Sequence, residues 1–531
     1  MPTQNGKIID PEAKGAPCGK WAPVLFQSRS GNEYLYSWGR QQALAIHPFL
    51  RHIIGLERKG TNLNHWIQRK RWRAPIVDGA GELSRAVAEL HVKMLALLRA
   101  QGYFDEPKAK SFLCSDITAE RVKESLAYTR QVVFEVTEAC NLDCAYCCAG
   151  RLYENMGARS AHRLSPTFAK HLIDYLFDFW SASPQRTMDT PVSLTFYGGE
   201  PLLNMPLIKD IIGYAKEKLK GGKNLVFNLT SNGMLLDQHM DYLVDNSFDL
   251  LLSVDGNERN HSYRLTRDGK NSHPQVMKNI LKLKAAYPAY FRKHVSFNAV
   301  LHNRNSLDDI RNFFASLSAR RPMFGEVSNS AVAAKYRAEF DAMFKNANSS
   351  LREACHPETL EDWYFPDLGG PGELEFFLAN YARGINRSLS ALGVEPGPVR
   401  HSPTGTCLPL SKRCFLSARG EILPCERVGK TLVLGHVDTN GVHLDFAKIA
   451  ARYRDHYQKI FESCGRCFWG HGACSVCLGN LLGSQPAAAK LRCTQIVKKR
   501  TDIRRYLADR LSYLEEHPGV STRILREVSG A

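Results

Sequence analysis

The strongest structural signal in this sequence is a pair of adjacent stretches, Gln131-Val-Val-Phe-Glu-Val136 and Glu138-Ala-Cys-Asn-Leu-Asp-Cys-Ala-Tyr-Cys-Cys148. The first is rich in β-branched residues and predicts a strand. The second places Cys140, Cys144 and Cys147 on a short loop past the carboxyl end of that strand. Three thiolates on one loop suit three corners of a 4Fe-4S cluster and leave one iron open for chemistry. A structural zinc site is the alternative that CxxC pairs alone would favour.

Composition indicates an ordinary globular protein. The chain has 531 residues, 44% of them hydrophobic and 23% charged, which leaves room for about two to four domains. It shows no signal peptide and no run of about 18 apolar residues, so we expect a cytoplasmic protein without a membrane partner. In that compartment the 15 cysteines are better explained as metal ligands than as disulfides. The net charge of +17 predicts an acidic partner, either a nucleic acid, an acidic peptide or an anionic cofactor.

The chain divides into six predicted segments. They are a flexible tail (1–20), a winged-helix-like domain (21–112), a core of alternating strands and helices (126–318), a bridging segment (319–400), a cysteine-rich domain (401–500) and a C-terminal helix (501–531). In the second segment, residues 23–27 and 32–38 predict two strands, residues 47–54 predict the start of a helix, and apolar residues three or four apart from Leu83 to Leu97 predict another helix. In the core, strands are predicted at 131–136, 192–197, 225–229, 248–253 and 294–300. Their alternation with helices predicts a parallel sheet of an α/β fold.

Short polar segments follow the strands of the core, where a parallel sheet would gather them at one edge. They are Tyr197-Gly-Gly-Glu-Pro201, Thr230-Ser-Asn-Gly233, Ser253-Val-Asp-Gly256 and His261-Ser-Tyr-Arg264. With the cysteine loop, their order and spacing resemble the radical S-adenosylmethionine (SAM) superfamily. The resemblance implies a partial (β/α)6 barrel in which SAM binds the open iron. It also implies that SAM yields a 5′-deoxyadenosyl radical, which abstracts a hydrogen atom from the substrate.

The resemblance also implies which residues contact SAM. Gly198 and Gly199 would permit a close approach of the backbone to the ligand, and Glu200 or nearby carbonyls would accept from the SAM ammonium. Ser231 and Asn232 would contact the ribose hydroxyls.

Three further contacts follow from the same resemblance. Ser253 would bond the SAM carboxylate or ribose, and Arg264 would pair with the SAM carboxylate. Tyr146 would pack beside the adenine and the cluster.

A second group of eight cysteines resembles the SPASM extension of radical SAM enzymes, which holds two auxiliary 4Fe-4S clusters. The resemblance implies that the first cluster is held by Cys407, Cys414, Cys425 and Cys477, and the second by Cys464, Cys467, Cys474 and Cys493. Cys414 enters this set because it lies where anaerobic sulfatase-maturing enzymes carry an additional ligand. Three 4Fe-4S clusters are thus expected in all, and two zinc ribbons are the alternative.

Glu426, directly after Cys425, is a candidate proton acceptor. Sulfatase-maturing relatives carry an aspartate proposed as a base at the matching place. The alternative is a surface carboxylate that pairs with Arg427.

These features predict a radical SAM/SPASM enzyme that oxidatively modifies a ribosomally made peptide, by a thioether or another side-chain crosslink. The peptide or protein substrate would bind partly to the N-terminal domain, by addition to a strand edge, and flavodoxin or ferredoxin would supply electrons. One alternative is formylglycine formation of the sulfatase-maturase type. The other is an iron-sulfur nucleic-acid-binding protein, suggested by aromatic and cationic residues at 65–73. A peptide partner is favoured over a nucleic acid.

Overall fold

The structure is a computed structural model. It describes residues 22–40, 42–68, 85–106, 117–153, 160–183, 191–218, 225–317, 319–329, 332–364, 407–426, 428, 432–464 and 500–519. The tail at 1–20 and most of the basic stretch at 65–73 lie outside these ranges.

The N-terminal region is a three-stranded antiparallel sheet followed by helices. Its elements are β1 (Val24–Gln27), β2 (Glu33–Ser37), β3 (Gln42–Ile46), α1 (Pro48–Arg58), α2 (Leu63–Ile67) and α3 (Arg85–Ala100). The sequence predicted β1, β2 and helices at α1 and α3, but not β3, because the two alanines of Gln42-Ala-Leu-Ala-Ile46 give a weak strand signal. The winged-helix-like character and the domain boundaries stay predictions.

The two faces of this small sheet pack against different partners. Leu25 and Leu35 face α1 and α3, whereas Phe26 and Trp38 belong to the same hydrophobic core as the central sheet. This follows from the alternation of side chains along a strand. The N-terminal sheet is therefore packed onto the rest of the protein and not suspended on a linker.

The core contains six parallel strands in sequential order, joined by helices. Its strands are β4 (Gln131–Thr137), β6 (Val192–Gly198), β7 (Leu225–Ser231), β8 (Asp249–Ser253), β10 (Val295–Leu301) and β11 (Met323–Glu326). Two short strands, β5 (Leu142–Cys144) and β9 (Arg264–Thr266), pair with each other beside this sheet. The helices are α4 (Ala119–Ala127), α5 (Pro166–Ser181), α6 (Met205–Lys218), α7 (Leu236–Asp245), α8 (His273–Ala286), α9 (Pro288–His294) and α10 (Leu307–Ser316).

This arrangement confirms the α/β fold with a partial, unclosed barrel. The order β4-β6-β7-β8-β10-β11 is produced when each helix carries the chain to the next parallel strand. The sequence did not predict β11, whose residues are largely exposed and give no clear apolar pattern. Beyond it lie α11 (Arg337–Met343), α12 (Ala347–Arg352) and α13 (Pro357–Tyr364).

The second cysteine-bearing segment extends the same sheet. Its strands are β12 (Arg413–Leu416), β13 (Glu421–Leu423), β14 (Gly435–Asp438) and β15 (Gly441–Leu444), and its helices are α14 (Phe446–Cys464) and α15 (Arg500–Glu516). Strand β12 runs parallel to β4, with Phe415 opposite Val133, and β13 to β15 follow as antiparallel neighbours. Both cysteine-bearing regions therefore meet at β4. Among the described residues, no helix is both long and apolar enough to cross a membrane.

Candidate active site

A cavity of about 360 Å³ opens at the carboxyl ends of the parallel strands. Cys140 and Cys144, both buried, and the half-buried Cys147 line it. Pairing of β5 with β9 holds the loop, and the amide of Ala145 donates to the carbonyl of Tyr263 at 2.9 Å. The predicted triplet is thus brought together around one cavity.

Gly198 and Gly199 allow the end of β6 to pack against the start of the cysteine loop. A Cβ at Gly198 would lie 2.2 Å from the carbonyl oxygen of Thr137, and one at Gly199 would lie 2.1 Å from that of Ala139. The backbone at Gly198 also has φ of +144°, which side chains disfavour. We predicted room for a ligand here, and the structure gives these glycines a contact with the loop backbone as well.

Glu200 is fully buried and orders the end of the next strand, β7. Its carboxylate accepts from the Ser231 hydroxyl and the Asn232 amide, both at 2.8 Å, and from the Leu202 amide at 3.1 Å. Ser231, predicted to bind ribose, therefore donates within the protein. The roles of Glu200 and Ser231 towards SAM stay predictions.

Asn232 connects this network to the cysteine loop. Its side-chain amide donates to Asn141 at 2.7 Å and lies 3.8 Å from the sulfur of Cys140. Hydrogen bonds to a ligand sulfur orient it and tune the potential of a bound cluster. Asn232 is thus placed to contact Cys140, a predicted cluster ligand, in addition to its predicted ribose contact.

Asp255 forms a buried centre behind the loop. It accepts from Arg264 through Nε and Nη2, both at 3.0 Å, and from the Val300 amide at 2.9 Å. The hydroxyl of Tyr146, on the cysteine loop, also donates to it. Asp255 was not among the predicted site residues, although its place in Ser253-Val-Asp-Gly256 offered a signal.

The surroundings of Asp255 and Tyr146 shift the pKa values of both side chains. Burial by itself would raise the pKa of Asp255, but the charge of Arg264 holds that pKa well below the ordinary value. Burial raises the pKa of Tyr146 well above its ordinary value, so this tyrosine remains a neutral donor. The guanidinium carbon of Arg264 lies 5.4 Å from the centroid of the Tyr146 ring. The ring of His302 also stacks on Tyr146, with the two centroids 5.8 Å apart. His302 gave no signal in the sequence.

Two predicted SAM contacts, Ser253 and Arg264, lie at the cavity wall. Ser253 ends β8 opposite Asn298 and lines the cavity. Arg264 also lines it, but its guanidinium is held by Asp255 and is only 7% exposed. A direct pair between Arg264 and the SAM carboxylate stays a prediction.

Glu426 reaches the same cavity from the second cysteine-bearing segment. Its carboxylate pairs with Arg413 at 2.5 Å and lines the cavity wall. The alternative partner, Arg427, lies outside the described residues. The sequence therefore located a cavity-lining carboxylate, and its role as a base stays a prediction.

Cys407, Cys414 and Cys425 occupy different surroundings. Cys407 and Cys425 are half-buried and lie near Arg413. Burial would lower the pKa of the Arg413 guanidinium, but Glu426 raises it above the ordinary value, with smaller contributions from these two cysteines. Cys414 is fully buried in the central hydrophobic core, and burial raises the pKa of its thiol to about 12. Alternation along β12 places Cys414 on the opposite face from Arg413 and Phe415.

The remaining predicted auxiliary ligands cannot be placed. Cys464 ends α14, and nothing is described of its side chain. Cys467, Cys474, Cys477 and Cys493 lie outside the described residues. The number of auxiliary clusters therefore stays a prediction.

The cavity wall is acidic although the chain is basic overall. Six glutamates line it, namely Glu135, Glu138, Glu200, Glu326, Glu421 and Glu426. Arg264 is the one cationic side chain among the described lining residues, and Arg413 and Arg419 pair with Glu426 and Glu138 at the wall. The site therefore suits ligands that carry positive charge.

Comparisons with known proteins agree with this geometry. The profile of the Radical SAM superfamily matches residues 134–317. Radical SAM cyclopropyl synthase TigE of Paramaledivibacter caminithermalis is 25% identical over 186 residues, which cover 33% of this chain and 36% of TigE. The S-adenosylmethionine-dependent nucleotide dehydratase of Psychrobacter lutiphocae is 24% identical over 196 residues, covering 35% of this chain and 60% of the dehydratase. The chain thus spans less than two thirds of either relative.

One solved structure is similar over a longer part of the chain. It is anSMEcpe with bound AdoMet and Kp18Cys peptide, at 16% identity and a TM-score of 0.47. The match covers 74% of this chain and 98% of that one.

Proposed function

Residues 134–317 belong to the radical SAM superfamily, and on this basis we propose that the chain is an enzyme that oxidatively modifies a ribosomally made peptide. The main support for the proposal is the cysteine loop, where Cys140, Cys144 and Cys147 line one cavity at the strand ends. Thiolate is the ligand type of 4Fe-4S clusters, and three of them leave one iron for a second ligand. The residues present therefore fit a cluster that binds SAM.

Cys140, Cys144 and Cys147 would hold this cluster. When bound, the cluster and SAM together supply a 5′-deoxyadenosyl radical that removes a hydrogen atom from the substrate. The cavity volume of about 360 Å³ falls in the usual range for a small-molecule site.

The protein groups around the cavity support binding of SAM. SAM carries a sulfonium and an ammonium, and the six lining glutamates have the opposite charge. Glu200 fixes the Ser231-Asn232 turn, and Asn232 contacts Cys140. Asp255 holds Tyr146, so the loop is fixed at its first cysteine and between its second and third cysteines before any ligand arrives.

An exposed apolar row on α3 supports a peptide partner. Leu90, Met94 and Leu97 recur four and three residues apart and are 55%, 38% and 56% exposed. Apolar side chains at this spacing lie on one helix face, as in helical docking sites for peptides. The partner of this face would be an acidic leader segment, because the chain has a net charge of +17.

The proposal includes the acceptors of the electron and the proton that the substrate loses, and the donor that reduces the SAM-binding cluster. Two auxiliary clusters in the SPASM region would accept the electron that the substrate loses as its crosslink forms. Glu426 would take the proton released with it, since its carboxylate lines the cavity. Flavodoxin or ferredoxin would reduce the SAM-binding cluster.

The proposal is tested with the full-length protein, reconstituted anaerobically with iron and sulfide. With dithionite and SAM, we expect 5′-deoxyadenosine by liquid chromatography. The protein should also be coexpressed with a peptide encoded beside the gene of this protein. Mass spectrometry should then detect a peptide product that lacks two hydrogen atoms per crosslink. Absence of 5′-deoxyadenosine from protein with full iron content would refute the radical SAM activity.

The peptide product separates the remaining alternatives. A product in which a cysteine or serine has become formylglycine, without a crosslink, would favour the sulfatase-maturase alternative. Binding to RNA or DNA that falls steeply with salt, without peptide modification, would favour the nucleic-acid alternative.

A further inference from the structure

The hairpin of β14 and β15 brings two histidines and an aspartate together at the edge of the large sheet. His436 lies directly opposite His443 in the antiparallel register, and their rings stack with centroids 4.5 Å apart. Asp438 ends β14 two residues after His436, on the same face of the strand. These three side chains form what we call the hairpin triad.

The donor atoms of the hairpin triad converge. Nε2 of His443 lies 3.1 Å from Oδ1 of Asp438, and Nε2 of His436 lies 3.9 Å from Oδ2. One donor atom from each of the three residues lies within 4.8 Å of the others. Small ring rotations of these exposed side chains would bring all three onto one ion.

The backbone beneath the triad is fixed from two sides. His171 on α5 donates through Nδ1 to the carbonyl of Asp438 at 3.0 Å, since a carbonyl oxygen can only accept. The turn amide of Asn440 donates to Oδ1 of Asp438 at 2.7 Å. The Val437 amide donates to the Gly420 carbonyl at 2.7 Å. The triad therefore projects from a supported strand pair.

We propose that His436, Asp438 and His443 bind a divalent transition metal ion, of the class of Zn²⁺ or Ni²⁺. Two imidazoles with one carboxylate suit these ions, whereas Mg²⁺ and Ca²⁺ require mostly oxygen ligands. Three protein ligands leave a position for water. The ion would join β14 to the edge strand β15 and stabilise the end of the sheet by binding only the folded state.

This site is independent of the proposed enzymatic activity. None of its three residues lines the cavity beside the cysteine loop. The chemistry also differs, because the triad offers no thiolate. Metal binding here can therefore be measured whether or not the chain modifies a peptide.

The experiment is a titration of untagged, cluster-loaded protein with Ni²⁺ by calorimetry. We expect His443→Gln and Asp438→Asn each to weaken one binding event by more than about tenfold, because even removal of a group behind a metal ligand costs 10–100-fold. Absorption spectra should lack the thiolate-to-nickel band that cysteine ligation would produce. His443 is exposed and Asp438 is half-buried, so the variants should fold.

His294→Gln provides the matched control. His294 pairs with Asp249 at 2.8 Å, a histidine and a carboxylate that belong to no group of three donors among the described residues. Its loss should leave the Ni²⁺ titration unchanged. Unaltered Ni²⁺ binding in both His443→Gln and Asp438→Asn would overturn the proposal, as would an equal loss in His294→Gln.

Discussion

The cysteines of the loop after β4 and the cysteine in β12 lie in neighbouring parts of one sheet but face opposite surroundings. Cys140, Cys144 and Cys147 line a cavity whose wall carries charge and hydrogen-bonding groups. Cys414 is surrounded by the hydrophobic core, and its thiol has a pKa raised to about 12 by burial. Both regions are equally conspicuous as cysteine patterns in the sequence.

The difference shows that cysteines equally conspicuous in the sequence can end in a polar cavity or in a hydrophobic core, depending on where the backbone directs each side chain. In the loop after β4, the three cysteines can face one cavity because most of the segment does not follow the alternation of a long strand. In β12, the direction of Cys414 is fixed by the pleat, which points Phe415 to the cavity and Cys414 to the other side.

The largest expected effect comes from Cys144→Ala in the loop. Loss of one of three thiolates should reduce 5′-deoxyadenosine to the level without enzyme, measured with SAM and dithionite under anaerobic conditions. Cys355→Ala is the control, because Cys355 is exposed and does not line this cavity. Equal activity of the Cys144 variant would refute the ligand assignment.

Asp255→Asn tests how the loop is held. Breaking a buried ion pair by removing one partner typically costs about 3–5 kcal/mol, and Asp255 and Arg264 are both buried. We expect a lower midpoint of denaturation in urea. The exposed pair of Asp268 and Lys270 offers Asp268→Asn as a control, with little change expected. An unchanged midpoint for Asp255→Asn would contradict the central role of this carboxylate.

The thiol of Cys414 should respond to pH unlike an exposed thiol. With a pKa of about 12, its thiolate fraction at pH 8 is about three orders of magnitude below that of an ordinary thiol with a pKa of about 8.5. In cluster-free protein, alkylation of Cys414 by iodoacetamide should be slow and still rise tenfold per pH unit from 8 to 10. Peptide mapping by mass spectrometry, with exposed Cys355 as internal reference, checks this. A plateau near pH 9 would contradict it.

Glu426→Gln tests the carboxylate that the second region presents to the cavity. If Glu426 takes a substrate proton, modified peptide should fall by about a hundredfold while 5′-deoxyadenosine still forms. Glu421→Gln removes another lining carboxylate from the same wall and should retain modification. A parallel loss in both variants would indicate a general effect of wall charge.

The smallest expected effect comes from Cys414→Ala. From its place in the core, we expect a stability loss of about 1 kcal/mol, the scale of one buried methylene, with unchanged iron content. The sequence resemblance predicts instead that iron is lost, because Cys414 would be the fourth ligand of an auxiliary cluster. Iron and sulfide analysis of the purified variant decides between the two.

Much of the core could be predicted from local sequence. β4, β6, β7, β8 and β10 carry buried β-branched or apolar residues, and each was predicted within one or two residues. β11 and β3 were missed because an exposed or alanine-containing run gives little apolar pattern. The strands from β12 to β15 were not predicted. Strand β12 pairs with β4, far away in the sequence, whereas β13, β14 and β15 pair with neighbours along the chain.

In the site, the predicted SAM contacts line one cavity, but the sequence did not predict the bonds that some of them make within the protein. Ser231 and Glu200 bond each other, and Arg264 bonds Asp255. Such pairing cannot be read from spacing, because every one of these groups could equally reach a ligand.

The sequence by itself determined the α/β core, the cysteine triplet and the family of the domain, because those depend on local spacing and periodicity. Only the tertiary structure decided that Asp255 anchors Tyr146, that Cys414 faces the core and that two histidines meet an aspartate on one hairpin. The physical reason is that these outcomes depend on strand register and on which partner satisfies each buried polar group. The partners of Asp255 and the strand beside Cys414 are distant along the chain, whereas the hairpin residues are close in sequence and are aligned by the register of β14 and β15.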